Sequence, residues 1–236
     1  MNEKENDVLF SFNQKKLSIS VFKQLDGSLI FFKEENIDIH SITENSDFTL
    51  VEKTLEKNIK QLEQKVNSFV KNIFLMIDSD DTLPIYLSLT KKLDDKKIKE
   101  KDIKHLIQDA KQQIAGAYPE KYIVHIIVKK YIVNGKYYTF APLDIDCNKI
   151  SIEIKFICFP KNLIKKIEVL FHNFQITIDK IICSNYAKSF IEDIDTKNIC
   201  QMGHQLKNGF NKQEVVIIPK KIEKKGFFEK LFHLFR

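Results

Sequence analysis

The sequence contains no tryptophan and few glycines and prolines, 6 and 5 respectively. This scarcity argues against a flexible linker or a collagen-like chain, since both need many of these residues. No apolar run approaches the roughly 18 residues that a transmembrane helix needs, so any contact with a membrane would be peripheral. The signatures GxSxG, HExxH, GxxxxGK(S/T) and GxGxxG are also missing. With 30% charged residues, the chain is expected to be a soluble protein that is not an enzyme and holds no cofactor.

Cysteine is sparse as well, and its spacing does not indicate a metal site. The four cysteines form no CxxC pair and have no histidine at metal-ligand spacing. Three of them lie in apolar, strand-like surroundings, so we expect buried free thiols in a reducing cytoplasm. The N-terminus, MNEKEND, is polar and acidic and does not resemble a signal peptide. The cysteines are Cys147, Cys158, Cys183 and Cys200.

The positive charge is concentrated at one end of the chain. Residues 219–236 contain six basic and two acidic residues, so they carry +4 of the formal net charge of +6. A nucleic-acid-binding protein would usually spread its basic residues over a folded face. The asymmetry therefore favours a local partner for this segment, and no nucleic-acid partner is predicted.

The last ten residues, FFEKLFHLFR, have the pattern of a short amphipathic helix. At 100° per residue the phenylalanines and leucines fall on one side and the charged residues on the other. Such a segment, preceded by lysines, is typical of a helix lying in the plane of an anionic membrane. The alternative is a terminal helix packed on the protein's own core. The predicted membrane-binding residues are Phe227, Phe228, Leu231, Phe232, Leu234, Phe235, Lys224, Lys225, Lys230 and Arg236.

Hydrophobic periodicity predicts strands separated by helices, which indicates a mixed α/β sheet. The predicted strands are Val8–Phe12, Leu17–Phe22, Leu29–Phe32, Ile73–Ile77, Leu83–Leu89, Tyr122–Val133, Ile150–Phe159 and Ile176–Cys183. The predicted helices run from near Leu50 to Val70, with Asp47 and Thr49 as candidate caps, and over Ile98–Ile114, Lys161–Phe174 and Asn185–Ile191.

Two polar features are candidate metal or catalytic sites. The cluster Asp78–Asp81 could be a metal loop, but a solvated turn is favoured because no glycine or distal glutamate completes a calcium-binding pattern. His125 lies in an apolar strand and is interpreted as a structural histidine rather than a general base. His172, His204 and His233 have no carboxylate partner that the sequence identifies. No metal site is predicted.

The order of elements from Ile98 to Phe190 resembles that of FtsA, a bacterial cell-division protein of the actin-like ATPase superfamily. The resemblance covers about ninety residues and extends over the subdomain inserted into the first half of that fold. It is carried by Asp102, Ile103, Ala110, Lys111, Val124, His125, Ile126, Ile127, Tyr131, Ile132, Val133, Asn134, Gly135, Pro142, Ile178, Asp179, Ile181, Ile182 and Ala187.

The chain departs from this family where the family binds ATP. Actin-like ATPases end their first strand in a D-x-G-(T/S) turn whose backbone amides wrap a phosphate. Here Phe10 is followed by Ser11, Phe12, Asn13 and Gln14, and the second phosphate turn is missing. We therefore expect a truncated, nucleotide-free relative with a reduced actin-like, ribonuclease H-like first subdomain and an inserted strand–helix–strand–strand subdomain. The predicted boundaries are 1–82 and 158–218, 83–157, and 219–236 for the basic linker and membrane helix.

The resemblance implies a membrane-bound adaptor in cell division, attached to anionic lipid on the inner face of the bacterial membrane. In FtsA the inserted subdomain is implicated in self-association and in contacts with later division proteins. The same partners are expected here, whereas binding to FtsZ stays open. A scaffold of the pilus-assembly PilM type is the alternative. The predicted contact edge is the strand from Lys121 to Val133, with candidate residues Tyr122, Val124, Ile126, Val128 and Lys130.

Overall fold

A computed structural model describes residues 6–13, 15–37, 43, 45–191 and 199–215. Within these residues the chain forms a mixed α/β fold with two sheets, as predicted. The strands are β1 (Asn6–Asn13), β2 (Lys16–Lys23), β3 (Leu29–Asn36), β4 (Asn72–Ile77), β5 (Leu83–Lys97), β6 (Lys121–Val133), β7 (Lys136–Tyr138), β8 (Asp146–Pro160) and β9 (Thr177–Cys183). The helices are α1 (Thr49–Val66), α2 (Glu100–Ala117), α3 (Lys161–His172), α4 (Ser184–Lys188) and α5 (Ile199–Lys207).

The first sheet has five strands in the order β3-β2-β1-β4-β9. The first three strands form an antiparallel meander, and β4 and β9 add to it in parallel. Strand β4, which lies between β1 and β9, is almost entirely apolar, which suits a strand covered on both faces.

Helices cover both faces of the first sheet. On one face Phe10 and Phe12 of β1 pack edge-on against Phe171 of α3, and α1 lies beside α3. On the other face α5 packs against polar β1 and β2 residues. Gly203 of α5 lies so close to β4 that an added Cβ atom would come within 2.2 Å of Met76 Sδ. Only glycine allows this close approach of a helix to the sheet.

The second sheet has four strands in the order β5-β8-β6-β7, and it is inserted between β4 and α3. Along β8, alternate residues Ile150, Ile152, Ile154 and Phe156 are buried in a core shared with α2. This period of two is what a strand with one covered face requires. The predicted turn at Asn134–Gly135 joins β6 to β7, and both residues have positive φ, as a two-residue hairpin turn demands.

The two sheets are joined along β8 and β6. Near the end of β8, alternate residues belong to different cores: Phe156 and Cys158 pack in the second core, whereas Ile157 and Phe159 pack in the first. The C-terminal part of the described chain adds a further connection, since Ile127 of β6 forms an isolated antiparallel bridge with Glu214. The segment after α5 thus lies at the boundary between the two sheets.

Several boundaries differ from those predicted. Helix α1 ends at Val66 rather than Val70, because Asn67 adopts a left-handed conformation and its N–H bonds to the carbonyl of Glu63. Phe69, which lies within the predicted range of this helix, follows its observed end and is 80% exposed. Phe48 occupies the N-cap position, while the side chain of Asp47 accepts hydrogen bonds from Thr49. Strand β5 continues eight residues beyond its predicted end, and β7 was not predicted.

Candidate functional site

The resemblance to FtsA implies that the hairpin between β1 and β2 corresponds to the first phosphate turn of actin-like ATPases. Its strand pairing continues without a break from Asn6 and Lys23 to Asn13 and Lys16, so only positions 14 and 15 connect the strands. Ser11 Oγ accepts a hydrogen bond of 2.7 Å from the Asn13 side chain. This tight hairpin lacks the glycine-rich loop whose successive amides could surround a phosphate.

The acidic turn after β4 is closed by its own hydrogen bonds. The Thr82 hydroxyl donates to the Ser79 carbonyl at 2.6 Å, and the N–H of Asp81 donates to Ser79 Oγ at 3.2 Å. Asp78 forms an ion pair with Lys188 of α4. Across the described ranges, no cluster of three or more histidine, cysteine or acidic side chains is arranged to hold a metal ion.

His125 lies at the centre of a buried hydrogen-bond network. Its Nε2 atom accepts the backbone N–H of Cys183 at 2.9 Å, so the ring proton resides on Nδ1 and points to Glu214 Oε1 at 2.8 Å. Burial lowers the pKa of His125, which therefore stays neutral despite the nearby carboxylate. Both ring nitrogens are engaged, as expected of a structural histidine.

Three side chains contact the Glu214 carboxylate at the junction of the two sheets. Besides His125, the Tyr186 hydroxyl donates to Oε2 at 3.1 Å and Lys180 Nζ lies 3.4 Å from Oε1. Burial alone would raise the pKa of Glu214, but the hydrogen bond from His125 and the neighbouring groups outweigh burial and lower the pKa. This buried, charged side chain fixes the segment after α5 to β6.

A second buried network holds α5 against β1. His204 Nε2 lies 3.0 Å from Asp7 Oδ2, and Lys207 and Gln24 donate to the same carboxylate at 2.7 and 2.9 Å. Burial would raise the pKa of Asp7, but these hydrogen bonds dominate and lower the pKa to about 2. The partner of His204 was missed in the sequence because Asp7 lies 197 positions away. The ring of Phe22 also stacks on His204.

The five predicted contact residues of β6 do not form one surface. Tyr122 is exposed, and Val124 is half-buried against the first core. Ile126 and Val128 are buried in the second core, which corrects their interpretation as contact residues, because their side chains face α2. Lys130 lies on the opposite face, where it pairs with Glu153 at 3.0 Å.

The prediction that β6 offers a free edge is also corrected. Strand β8 pairs with one side of β6 along nearly its whole length. The other side pairs with β7 at its end, and in the middle it exchanges hydrogen bonds with the segment after α5. These bonds run from Val128 N–H to the Gln213 carbonyl at 2.9 Å and from Val215 N–H to the Ile126 carbonyl at 2.8 Å.

The second sheet instead presents an open face opposite α2. In the part of the chain that the structure describes, no helix covers this face, and its side chains come from alternate positions of the strands. Sequence reasoning missed it because the alternation in β5 was used only to identify a strand. We call it the lysine–tyrosine face, defined by Tyr86, Lys92, Lys130, Tyr137, Lys149 and Lys155.

The predicted membrane-binding residues, from Lys224 to Arg236, lie outside the described residues. Among the described helices, none is both long and apolar enough to cross a membrane.

Comparison with known proteins gives one family match, which lies in the second sheet. The model of the SHS2 domain inserted in FtsA matches residues 86–158. A search of curated proteins finds no match. Residues 86–158 are therefore similar to the SHS2 domain inserted in FtsA, which supports the predicted resemblance over this part of the chain.

Solved structures give the fold. The chain is similar to a chain of the PilM–PilN type IV pilus biogenesis complex, with a TM-score of 0.51 and 8% identity over 78% of this chain. The present chain spans about half of that protein's length, 49%. Other similar structures are the cytoplasmic domain of EpsL, an inner membrane component of the type II secretion system of Vibrio cholerae (TM-score 0.36, 8% identity, 78% of this chain and 57% of that chain), and a Bacteroides thetaiotaomicron protein with an actin-like ATPase fold (TM-score 0.34, 11% identity, 79% and 56%).

The fold and the matched region together define the class at the level of the fold: a mixed α/β chain with an actin-like fold, whose residues 86–158 resemble the SHS2 domain inserted in FtsA. Identity with FtsA itself and the truncated form stay predictions.

Proposed function

We propose that this protein is a non-catalytic, FtsA-like adaptor that recruits or organises division proteins on the inner face of the bacterial membrane. The observation that carries the proposal is the combination of an FtsA-type SHS2 domain with a first hairpin that has no phosphate-binding loop. A protein of this fold without that loop is suited to binding partners rather than to turning over ATP. No cofactor enters the proposal.

The structure of the first subdomain supports a packing role for the residues that replace the phosphate turn. Phe12 is buried against Phe171 of α3, and Ser11 is buried beneath α5.

Only residues 192–198 connect Ile191 to Ile199 at the start of α5, which covers the second face of the first sheet. Helix α5 therefore follows α4 closely in the sequence.

In the proposed organisation, residues 1–82 and 158–218 form the reduced first subdomain and residues 83–157 the inserted subdomain. Residues 219–236 form the basic linker and amphipathic helix that binds anionic inner-membrane lipid. The partner is another division protein or a second copy of this chain, and FtsZ is not assigned as a partner.

The second candidate is a scaffold for pilus or secretion assembly. It is supported by the similarity to the PilM–PilN complex, whose TM-score of 0.51 reflects a shared fold. A fluorescent fusion of the full chain in its own cells separates the two candidates. We expect a band at the division septum, whereas foci that coincide with pilus or secretion machinery would favour the scaffold.

Membrane binding is tested by co-sedimentation of the full chain with anionic vesicles. Phe228→Glu together with Phe232→Glu should weaken binding about 100-fold or more, because each buried phenylalanine contributes about 1.5–3 kcal/mol. The matched control is Phe69→Glu with Phe140→Glu, two phenylalanines that are exposed in the described structure. Equal sedimentation of all three proteins would refute the membrane role.

Nucleotide independence is tested separately by titrating the purified chain with ATP and Mg²⁺ in a calorimeter. We expect no binding heat. Measurable binding would overturn the interpretation of the hairpin between β1 and β2, even if the vesicle experiment succeeded.

A further inference from the structure

Within the described residues, the lysine–tyrosine face carries more lysines than carboxylates that pair with them. Four lysines lie on it, and the carboxylate of Glu153 forms an ion pair with one of them, Lys130, at 3.0 Å. Lys92 and Lys149 lie directly opposite each other on β5 and β8. Like charges in directly opposite positions destabilise a sheet. An anionic group bound between them would remove this repulsion.

Two tyrosines flank the charged centre of the face and hold lysines in place. The ammonium of Lys130 lies 4.9 Å from the ring centre of Tyr137, and that of Lys155 lies 5.7 Å from the ring centre of Tyr86. Both tyrosines are about two-thirds exposed, at 70% and 67%. Exposed tyrosines combine apolar contact area with a polar end, a combination that is enriched at protein interfaces.

The dimensions of the face fit a helix or an extended strand of a partner. From Tyr86 to Lys92 the face is about 20 Å long, and its four strands span about 14 Å. A helix with side chains is about 10–12 Å wide. Between the longer lysine and tyrosine side chains, the hydroxyls of Thr90 and Ser151 lie 2.7 Å apart. These short side chains give this part of the face a polar surface.

We propose that the lysine–tyrosine face binds an acidic segment of a partner protein. This inference rests on the proposed adaptor function and assigns the surface and the chemistry of the partner. The chain's own residues 219–236 are not the occupant, because they carry the same positive charge as the face. Glu153 lies in the middle of the face, where it would repel the continuous phosphates of a nucleic acid. A protein segment can place its acidic side chains at the lysines and an apolar residue between them.

The test uses the full chain and a labelled helical peptide of about 14 residues, which is about 20 Å long. The peptide carries glutamates and leucines on one face, and a second peptide has lysines in place of the glutamates. Fluorescence anisotropy should show tighter binding of the acidic peptide, and the difference should shrink at high salt because exposed charges are screened.

Two variants locate the binding to the face. Lys92→Glu should weaken binding of the acidic peptide about fivefold or more. It should nevertheless raise the midpoint of thermal unfolding, because a glutamate opposite Lys149 replaces a pair of lysines with a pair of opposite charges. Tyr86→Ser should also weaken binding. The matched control is Lys53→Glu, an exposed lysine on α1, which should leave the affinity unchanged within about twofold.

Three outcomes would overturn the proposal: equal affinity for both peptides, an equal effect of Lys92→Glu and Lys53→Glu, or tighter binding of an oligothymidylate than of the acidic peptide. The last would identify a nucleic-acid surface. If the peptide experiment fails while vesicle binding is intact and ATP does not bind, the proposed adaptor function still stands. ATP binding would instead overturn the nucleotide-free part of the proposed function, whatever the peptide result.

Discussion

Replacing Glu214 by alanine tests whether the segment after α5 holds the two sheets together. The mutation removes the acceptor of the His125 Nδ1–H group, whose ring has 0% exposed side-chain surface. A buried donor left without an acceptor costs about 1–3 kcal/mol. Lys180 is 26% exposed and can turn to solvent. The Tyr186 hydroxyl still accepts a hydrogen bond from Asn211 at 2.6 Å, but its own O–H loses the Glu214 acceptor. We therefore expect a loss of about 2–4 kcal/mol, from the His125 and Tyr186 donors together.

The free energy of unfolding is measured in urea at pH 7.5 for wild type, Glu214→Ala and Glu214→Gln. The glutamine variant keeps an oxygen that can accept the His125 proton, so it should lose about half as much as alanine. Glu56→Ala, an exposed site on α1, serves as the control and should change stability by less than about 0.5 kcal/mol.

Hydrogen exchange provides a local measurement of the same contact. The amides of Val128 and Val215 form the backbone bonds between β6 and this segment. The exchange of these two amides should be faster in Glu214→Ala than in wild type. The β4 amides should keep the same ranking of exchange rates in both proteins. A loss below about 0.5 kcal/mol with unchanged exchange at both amides would refute the reasoning, since buried unsatisfied donors cannot be that inexpensive.

Two further predictions concern glycine packing and pH. Gly203→Ala should destabilise the protein by about 1–3 kcal/mol in thermal or urea unfolding, because its Cβ would collide with Met76. Its control, Gly116→Ala in α2, meets nothing within 4 Å and should stabilise by about 0.5 kcal/mol; similar effects of both substitutions would contradict the close packing of α5. Because burial lowers the pKa of folded His125, only the unfolded chain takes up a proton as pH falls below about 6.5. Stability should therefore drop by up to about 1.4 kcal/mol between pH 7.5 and 5.5 on account of this residue. His125→Gln should reduce that drop in urea unfolding, and an identical drop in both proteins would contradict the assignment.

Local patterns were sufficient for most elements of the fold. A three-and-four spacing of apolar residues predicted α1, and most of its members within the helix are buried, whereas Leu50 is 52% exposed. The spacing comprises Leu50, Val51, Leu55, Ile59, Leu62, Val66 and Val70. The apolar run Ile73–Ile77 predicted a strand covered on both faces, and it forms β4, an interior strand of the first sheet. These predictions succeed because a helix face or a buried strand is specified by residues that lie close in sequence.

Boundaries and edges were predicted less well. Phe69 lay within the predicted range of α1, but the left-handed Asn67 ends the helix first and leaves Phe69 exposed. The alternation of β6 could not reveal which strands lie beside it. Its outer side is occupied by Gln213–Val215, a pairing between segments about ninety residues apart.

Hydrophobic periodicity was enough to indicate a mixed α/β protein, and the resemblance to FtsA implied the inserted subdomain and exposed the departure of the first hairpin from a phosphate loop. Each of these follows from residues that are neighbours in the sequence. The Asp7–His204 and His125–Glu214 pairs, the closed edge of β6 and the lysine–tyrosine face required the folded chain. They depend on strand order and on contacts between distant segments, and no local pattern encodes which strand a given side chain will face.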